Sequence, residues 1–431
     1  MILKGKYINL ASFLPGFKKC HSSFAALKNK SKSELPSLET PNSEKGGDSE
    51  FPYYIENGMR KVYPYYYTHS TYCKGRWIRR KLIDCYANEF SLYPREEYVI
   101  RATNGKLKVN GKAVSADYVL KNGDLIESTI HRHEHAVLAS PIHTIYEDDE
   151  LLVIDKPPSL PVHPCALYNY NTISNVLSLE YGYKNLYVAH RLDRLTSGVL
   201  IYAKNSKKSR ELHDLLNLRN IRKEYVSRVE GEFPDGIIVC NKPIKQVFNK
   251  VGINIVSPLG KTSITEFEKL SFDGKSSVVL CRPHTGRTHQ IRVHLQYLGH
   301  PIINDYLYNS HVFGPQKGKD GLFNKSIEEL MNDLVEEHSS NWWLENSPGR
   351  PTADDEDLLH VLTSKYSQHA FKGERYEKDS SRFKYDESCH FCKQKYRDPK
   401  QANLLMMLHA YKYESDQWQF KTEMPFWAAD D

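Results

Sequence analysis

The sequence predicts an α+β protein built from more than one domain. Three observations lead there. Short apolar strand-like runs (LLVI at 151–154, VLIYA at 199–203, SVVLC at 277–281) are interspersed with stretches of helical periodicity. Gly, Pro and Asn stand between them at turn positions. The chain's 431 residues, 40% hydrophobic and 26% charged, suffice for a sizeable core and exceed one average domain. No apolar run is long enough for a membrane-spanning helix. The net charge of +6 permits a polyanionic partner without demanding one. Eight cysteines, scattered apart from one close pair, fit a reducing compartment better than a disulfide framework.

Residues 1–50 are a basic leader and linker. Lys4, Lys6, Lys18, Lys19, Lys28, Lys30 and Lys32 precede the first acid, Glu34. An acid-free, amphipathic, basic leader suits a mitochondrial import signal. A basic tail, leaving the protein in the cytoplasm, is the alternative, and the absence of arginine favours it. Residues 34–50 have linker composition. A tyrosine-rich lead-in spans 51–76; its rings are expected to cover hydrophobic surface rather than stack on bases.

Residues 77–135 read as a small module. A helix is predicted over 75–90, with Ile78, Leu82, Ile83 and Tyr86 on one side and Arg76, Arg79, Arg80 and Lys81 exposed. KVNGK at 108–112 predicts a hairpin closed by Asn-Gly, and Gly123-Asp124 a further turn before a strand. In HRHEH at 131–135, strand alternation would place all three histidines on one face. No nearby His/Cys cluster completes a metal site, so a hydrogen-bonding or phosphate-contacting strand is expected.

The chemistry concentrates after residue 136. DKPP at 155–158 stops a buried strand. In HRLDRLTSG at 190–198, Asp193 lies between Arg191 and Arg194, whose charges would keep it ionised. Spacing alone leaves a catalytic carboxylate and a structural ion-pair cluster equally open. An amphipathic helix over 206–220 leads to a strand at 222–229 carrying Tyr225, by default a core tyrosine. A helix over 288–298, stopped by Gly299, places His289, Arg292 and Gln296 on one face. Arg292 could pair with a carboxylate; His284, Arg287 and His289 could meet phosphate or base.

Four blocks in this order, DKPPSLPVHP (155–164), HRLDRLTSG, KEYVSRVEG (223–231) and GRTHQIRVHLQYLGHPIINDYLY (286–308), resemble the signatures of the RluA family of pseudouridine synthases. The module at 77–135 resembles an S4-like RNA-binding domain, and with HRHE it is similar to the eukaryotic branch acting on position 32 of transfer RNA. LHA at 408–410 and the following Pro425 to Trp427 resemble the family's ending. The resemblance implies a pseudouridine synthase fold, a mixed, mainly antiparallel central sheet with flanking helices. It implies a catalytic domain over 136–312 that resumes at 401–431. It also implies isomerisation of uridine in RNA without a cofactor, by a monomer with no membrane partner. Asp193 matches the catalytic aspartate, Arg292 its cationic partner, and Tyr225 the tyrosine that stacks on the uracil. Arg191 matches an arginine that fills the vacated stack, and Ile291 packs beside the base. His190, Arg194, His284, Arg287, His289 and Lys156 are the further expected RNA contacts.

Residues 313–400 depart from the family and read as a polar, partly disordered insertion with an acidic run at 354–357. Cys389 and Cys392 form a lone C-x-x-C. His390 is the nearest addition, and Cys73, Cys85 or His131 would have to come from elsewhere in space. No metal is expected. No deaminase signature is present.

Overall fold

The structure, a computed structural model, describes residues 51–90, 93–248, 252–337 and 376–429. The basic leader and the acidic run at 354–357 lie outside the described residues. No described helix is long and apolar enough to cross a membrane.

The chain enters through β1 (Tyr53–Glu56) and β2 (Met59–Val62), an antiparallel hairpin. Next come β3 (Tyr65–Tyr72), α1 (Leu82–Glu89), α2 (Arg95–Thr103), β4 (Leu107–Val109), β5 (Lys112–Ala113), β6 (Leu125–Arg132) and β7 (Val137–Leu138). β7 joins β2, while β3-β6-β4-β5 form a separate four-stranded sheet. Tyr53, Tyr54 and Tyr63 are buried and cover hydrophobic surface as expected, whereas Tyr66 and Tyr72 are exposed. The Asn-Gly turn forms as expected, with φ of 51° at Asn110 and 76° at Gly111 joining β4 to β5.

The expected helix over 75–90 starts only at Leu82. Tertiary pairing overrides its beginning: the Arg79 amide donates to Leu120 O, and Leu120 returns a bond to Arg80 O. Arg79 has φ of 63°, which a helix does not accept. α2 was not expected. Its signals are Pro94 before the first turn and Glu96 and Glu97 within it, beside the positive end of the helix dipole.

The catalytic region follows as β8 (His143–Glu147), β9 (Leu151–Lys156), α3 (Ile173–Glu180), β10 (Tyr187–Val188), β11 (Ser197–Ala203), α4 (Ser206–Asn217) and β12 (Arg222–Glu230). It continues through β13 (Ile237–Asn241), β14 (Ile244–Phe248), β15 (Ile253–Val256), β16 (Ile264–Phe272), β17 (Ser276–Pro283), α5 (Gln290–Leu298) and α6 (Ile327–Glu337). The chain returns in β18 (Leu408–Glu414) and β19 (Gln419–Lys421). One ten-stranded sheet results, ordered β13-β16-β17-β12-β18-β11-β9-β8, with β10 on β11 and β19 on β18. Only the β11–β18 pairing is parallel, so the sheet is mixed and mainly antiparallel.

The return strand explains two sequence blocks. β18 sits between β11 and β12, joining the two halves of the sheet. Gly198 of HRLDRLTSG faces Ala410 of LHA; a Cβ at Gly198 would lie 2.2 Å from Ala410 O, and its φ is +107°. Only glycine permits that approach. His409 locks the seam, with Nδ1 2.8 Å from Ser197 Oγ and Nε2 2.6 Å from Thr422 Oγ1.

The described parts of the insertion are largely exposed, as expected, but a few apolar residues anchor them to the fold. Phe313, Leu330 and Leu334 are buried against Val293 and Tyr308, packing 313–337 behind α5. Cys389 and Phe391 enter the core of the N-terminal module beside Trp77, Tyr93 and Tyr98. These few apolar residues are dispersed among charges, so local composition hides what they bury.

Candidate active site

Asp193 sits on the turn between β10 and β11, and Arg292 projects from the first turn of α5. Arg292 Nη1 donates to Asp193 Oδ2 at 2.9 Å. The guanidinium is itself aimed by Asp305, which accepts from its Nε at 2.7 Å and Nη2 at 2.8 Å. Asp305 is fixed in turn by the backbone amides of Leu307 and Tyr308, both donating to Oδ1. One arginine therefore bridges a buried anchoring carboxylate and a reachable one. Asp193 keeps 23% of its side-chain surface open, whereas Asp305 has none.

Electrostatics follow from this arrangement. Burial acts to raise the Asp193 pKa, but His289, Arg292 and Arg191 outweigh it and hold the carboxyl below its ordinary value. Burial also acts to lower Arg292, and the two carboxylates more than reverse it. His289 is pushed down to about 4 by burial despite Asp193, so it is neutral at pH 7 and Arg292 supplies the permanent charge. His289 occupies the left-handed region (φ 58°) as the residue capping α5. That places Nε2 3.7 Å from Asp193 Oδ2 and Nδ1 2.9 Å from the Tyr308 hydroxyl. Gln290 pins the preceding loop: its Oε1 accepts from Thr285 Oγ1 at 2.7 Å and the Arg287 amide at 3.1 Å.

Asp193, Arg191, Tyr225, Ile291 and Arg292 line a cleft of about 560 Å³. Arg191 is exposed at its edge. Tyr225, on β12, is raised to about 12 by burial and hydrogen-bonds its hydroxyl to that of Tyr413 on β18. His284, Arg287 and His289 stand on the same wall. His284 is exposed, 3.7 Å from Glu266, and Arg287 Nε donates to Thr262 O.

Two expected RNA contacts, Lys156 and Arg194, lie outside this cleft, and a third, His190, borders it as a half-buried residue. Lys156 is fully buried and its Nζ donates to the carbonyls of Pro157, Arg194 and Thr196 at 2.8–3.1 Å. Burial and Arg194 push it down to about 7. It holds the turn that carries Asp193 in shape, with its ammonium closed off from the surface. Arg194 points away from Asp193, with its guanidinium over the Tyr168 ring. His190 accepts from the Ile201 amide and packs on Tyr413, and burial pushes it down to about 3. It borders the cleft as a neutral support.

Sequence reading missed Asp305, Tyr308 and Tyr413 as site components. Asp305 and Tyr308 fall inside a quoted block, but nothing local marks them as partners of Arg292 and His289. Tyr413 comes 188 residues after the tyrosine it meets.

A second cluster overturns the expectation that nothing completes a metal site around the histidines. His131, at the end of β6, and His133 meet Cys389 and Cys392, with their ligand atoms within 4.8 Å of one another. The three histidines do not share a face. β6 ends at Arg132, and His135 turns instead toward Tyr168.

The family model for RNA pseudouridylate synthase matches residues 150–297. The chain is 42% identical over 418 residues to human pseudouridylate synthase RPUSD2, covering 89% of this chain and 77% of that one. It is 37% identical over 397 residues to the mitochondrial tRNA pseudouridine(32) synthase of Saccharomyces cerevisiae, covering 88% and 79%. To the tRNA pseudouridine(31) synthase of the same yeast it is 32% identical over 419 residues, covering 87% and 96%. Likeness along nearly the whole chain, together with an ionised aspartate held by a buried arginine in an open cleft, leads to one conclusion: the chain belongs to the RluA family and is a pseudouridine synthase, an isomerase of uridine in RNA.

Proposed function

We propose that this isomerase acts on uridine 32 in the anticodon loop of transfer RNA, in the mitochondrial pool. The observation that carries the chemistry is the Asp305–Arg292–Asp193 relay opening beside Tyr225. Two relatives named for positions 31 and 32 of transfer RNA support the substrate, and one of them is named as mitochondrial. A loop nucleotide is cheaper to unstack than a paired one.

In this reading the target uridine leaves its stack and enters the cleft, and Arg191 fills the gap behind it. The uracil lies on the Tyr225 ring with Ile291 beside it. Asp193 acts at the ribose while its C1′–N1 bond breaks; Oδ2 stays on Arg292. The freed base turns and rejoins through C5; the proton on C5 departs and N1 gains one. Nothing is added or oxidised. His284, Arg287 and His289 hold the flanking backbone. The module over 77–135 serves as an S4-like RNA-binding element; Arg79 and Arg80 are exposed without an acidic partner among the described residues.

The test is pseudouridine mapping of total and mitochondrial transfer RNA in cells carrying wild-type chain or Asp193→Asn. The substitution should erase pseudouridine 32 from mitochondrial transfer RNA while the purified variant binds it as tightly as wild type. Loss confined to cytoplasmic transfer RNA would refute the compartment, and loss only in another RNA would refute position 32. Full activity in the variant would refute the role of Asp193.

A further inference from the structure

We propose that His131, His133, Cys389 and Cys392 form a structural zinc site, which clips the end of the insertion onto the N-terminal module. Four of the six edges match a tetrahedron, and all four ligand atoms lie within 4.8 Å of one another. Zinc–nitrogen and zinc–sulfur bonds of ~2.0–2.3 Å require edges of ~3.3 Å between two nitrogens and ~3.6 Å between nitrogen and sulfur. His131 Nδ1 and His133 Nε2 are 3.3 Å apart. Cys392 Sγ lies 3.3 Å from His131 Nδ1 and 3.4 Å from His133 Nε2, and Cys389 Sγ lies 3.6 Å from His133 Nε2.

The surroundings suit a filled, closed site. Both cysteines are free thiols. The backbone amides of Phe391 and Cys392 point at Cys389 Sγ, and the Asp386 amide donates to Cys392 Sγ at 3.5 Å. Such amides stabilise thiolates and orient them. Two thiolates, two neutral imidazoles and one divalent cation sum to zero charge, so the cluster needs no buried counter-ion. Two nitrogens and two sulfurs in a tetrahedron select zinc among common metals. Four protein ligands leave no open position, so the role is structural, not catalytic. The knuckle is already docked: Asp386 takes Lys106 Nζ at 2.7 Å and the Tyr66 hydroxyl at 3.0 Å, and Phe391 packs on Tyr93 and His133.

The experiment is elemental analysis of the full chain purified without chelator and dialysed against metal-free buffer. Wild type and Asp193→Asn should each hold one zinc per chain, and Cys389→Ser/Cys392→Ser close to none. Cobalt(II) exchanged into wild type should give the visible bands of a tetrahedral thiolate site. Because wild type is read directly, misfolding of the double variant does not obscure the answer. Zinc-free wild type that also fails to take up added zinc or cobalt would overturn the proposal, as would zinc retained by the double variant.

Discussion

Asp305→Asn isolates the device that aims Arg292. In the wild type, four N–H donors converge on the two oxygens of Asp305: Nε and Nη2 of Arg292 and the amides of Leu307 and Tyr308. Asparagine keeps one oxygen. Placed at Oδ1, that oxygen still serves three donors, but the new NH2 group then faces Arg292 Nε, donor against donor. Removing one partner of a buried ion pair costs about 3–5 kcal/mol; retention of three bonds places this change near 3. At roughly 1–1.5 °C per kcal/mol for a chain of this length, the melting temperature should drop by about 3–5 °C. Arg292 would also lose the bidentate grip that fixes its approach to Asp193, so kcat should fall at least tenfold, about 1.4 kcal/mol. RNA affinity should stay unchanged, because Asp305 touches no solvent. Tritium release from RNA labelled at uracil C5 gives kcat, since the C5 hydrogen leaves in the reaction; thermal unfolding gives the stability. Wild-type melting together with wild-type kcat would show that Arg292 is held by something other than Asp305.

Lys156→Met should destabilise the chain by about 3–5 kcal/mol, since carbonyls of Pro157, Arg194 and Thr196 lose their donor. The dependence of RNA affinity on salt should keep its slope; a slope shallower by about 0.9 would mean the ammonium does contact phosphate. Acid should weaken the fold well above the carboxylate range. His135 and His289 are lowered to about 4, and His190 and His409 to about 3, with burial the leading cause in each. Between pH 6.5 and 4 the unfolded chain therefore binds more protons than the folded one. Stability should fall as pH drops through that window, by up to about 1.4 kcal/mol per pH unit for each histidine. Urea unfolding at pH 7.5, 6.5, 5.5 and 4.5 reads this directly, and a flat midpoint across the series contradicts it.

Much of the catalytic half was legible because its constraints are local in sequence. Gly198 stands where only glycine fits, Gly299 stops α5 with φ of 88°, and the apolar runs became β9, β11 and β17. Asp193, Arg292, Tyr225, Arg191 and Ile291 line one cleft. Errors arose where a residue type was right for a role but its surroundings were not visible. Lys156 lies at the end of a strand like a phosphate-binding lysine, yet three carbonyls enclose it. Arg194 flanks Asp193 in sequence and leaves it in space.

By itself, the sequence determined the α+β class and the order of the elements in the synthase region, and its motifs carried the family resemblance that singled out Asp193. These follow from periodicity, turn residues and motifs a few residues long. Tertiary structure alone decided who partners whom. Asp305 became the anchor of Arg292, Tyr413 the partner of Tyr225, and Cys389 and Cys392 the neighbours of His131 and His133 across more than 250 residues. Such pairs carry no local signature, because what brings them together is the burial of apolar surface elsewhere: β18 entering the middle of the sheet, and Phe391 entering the core of the module.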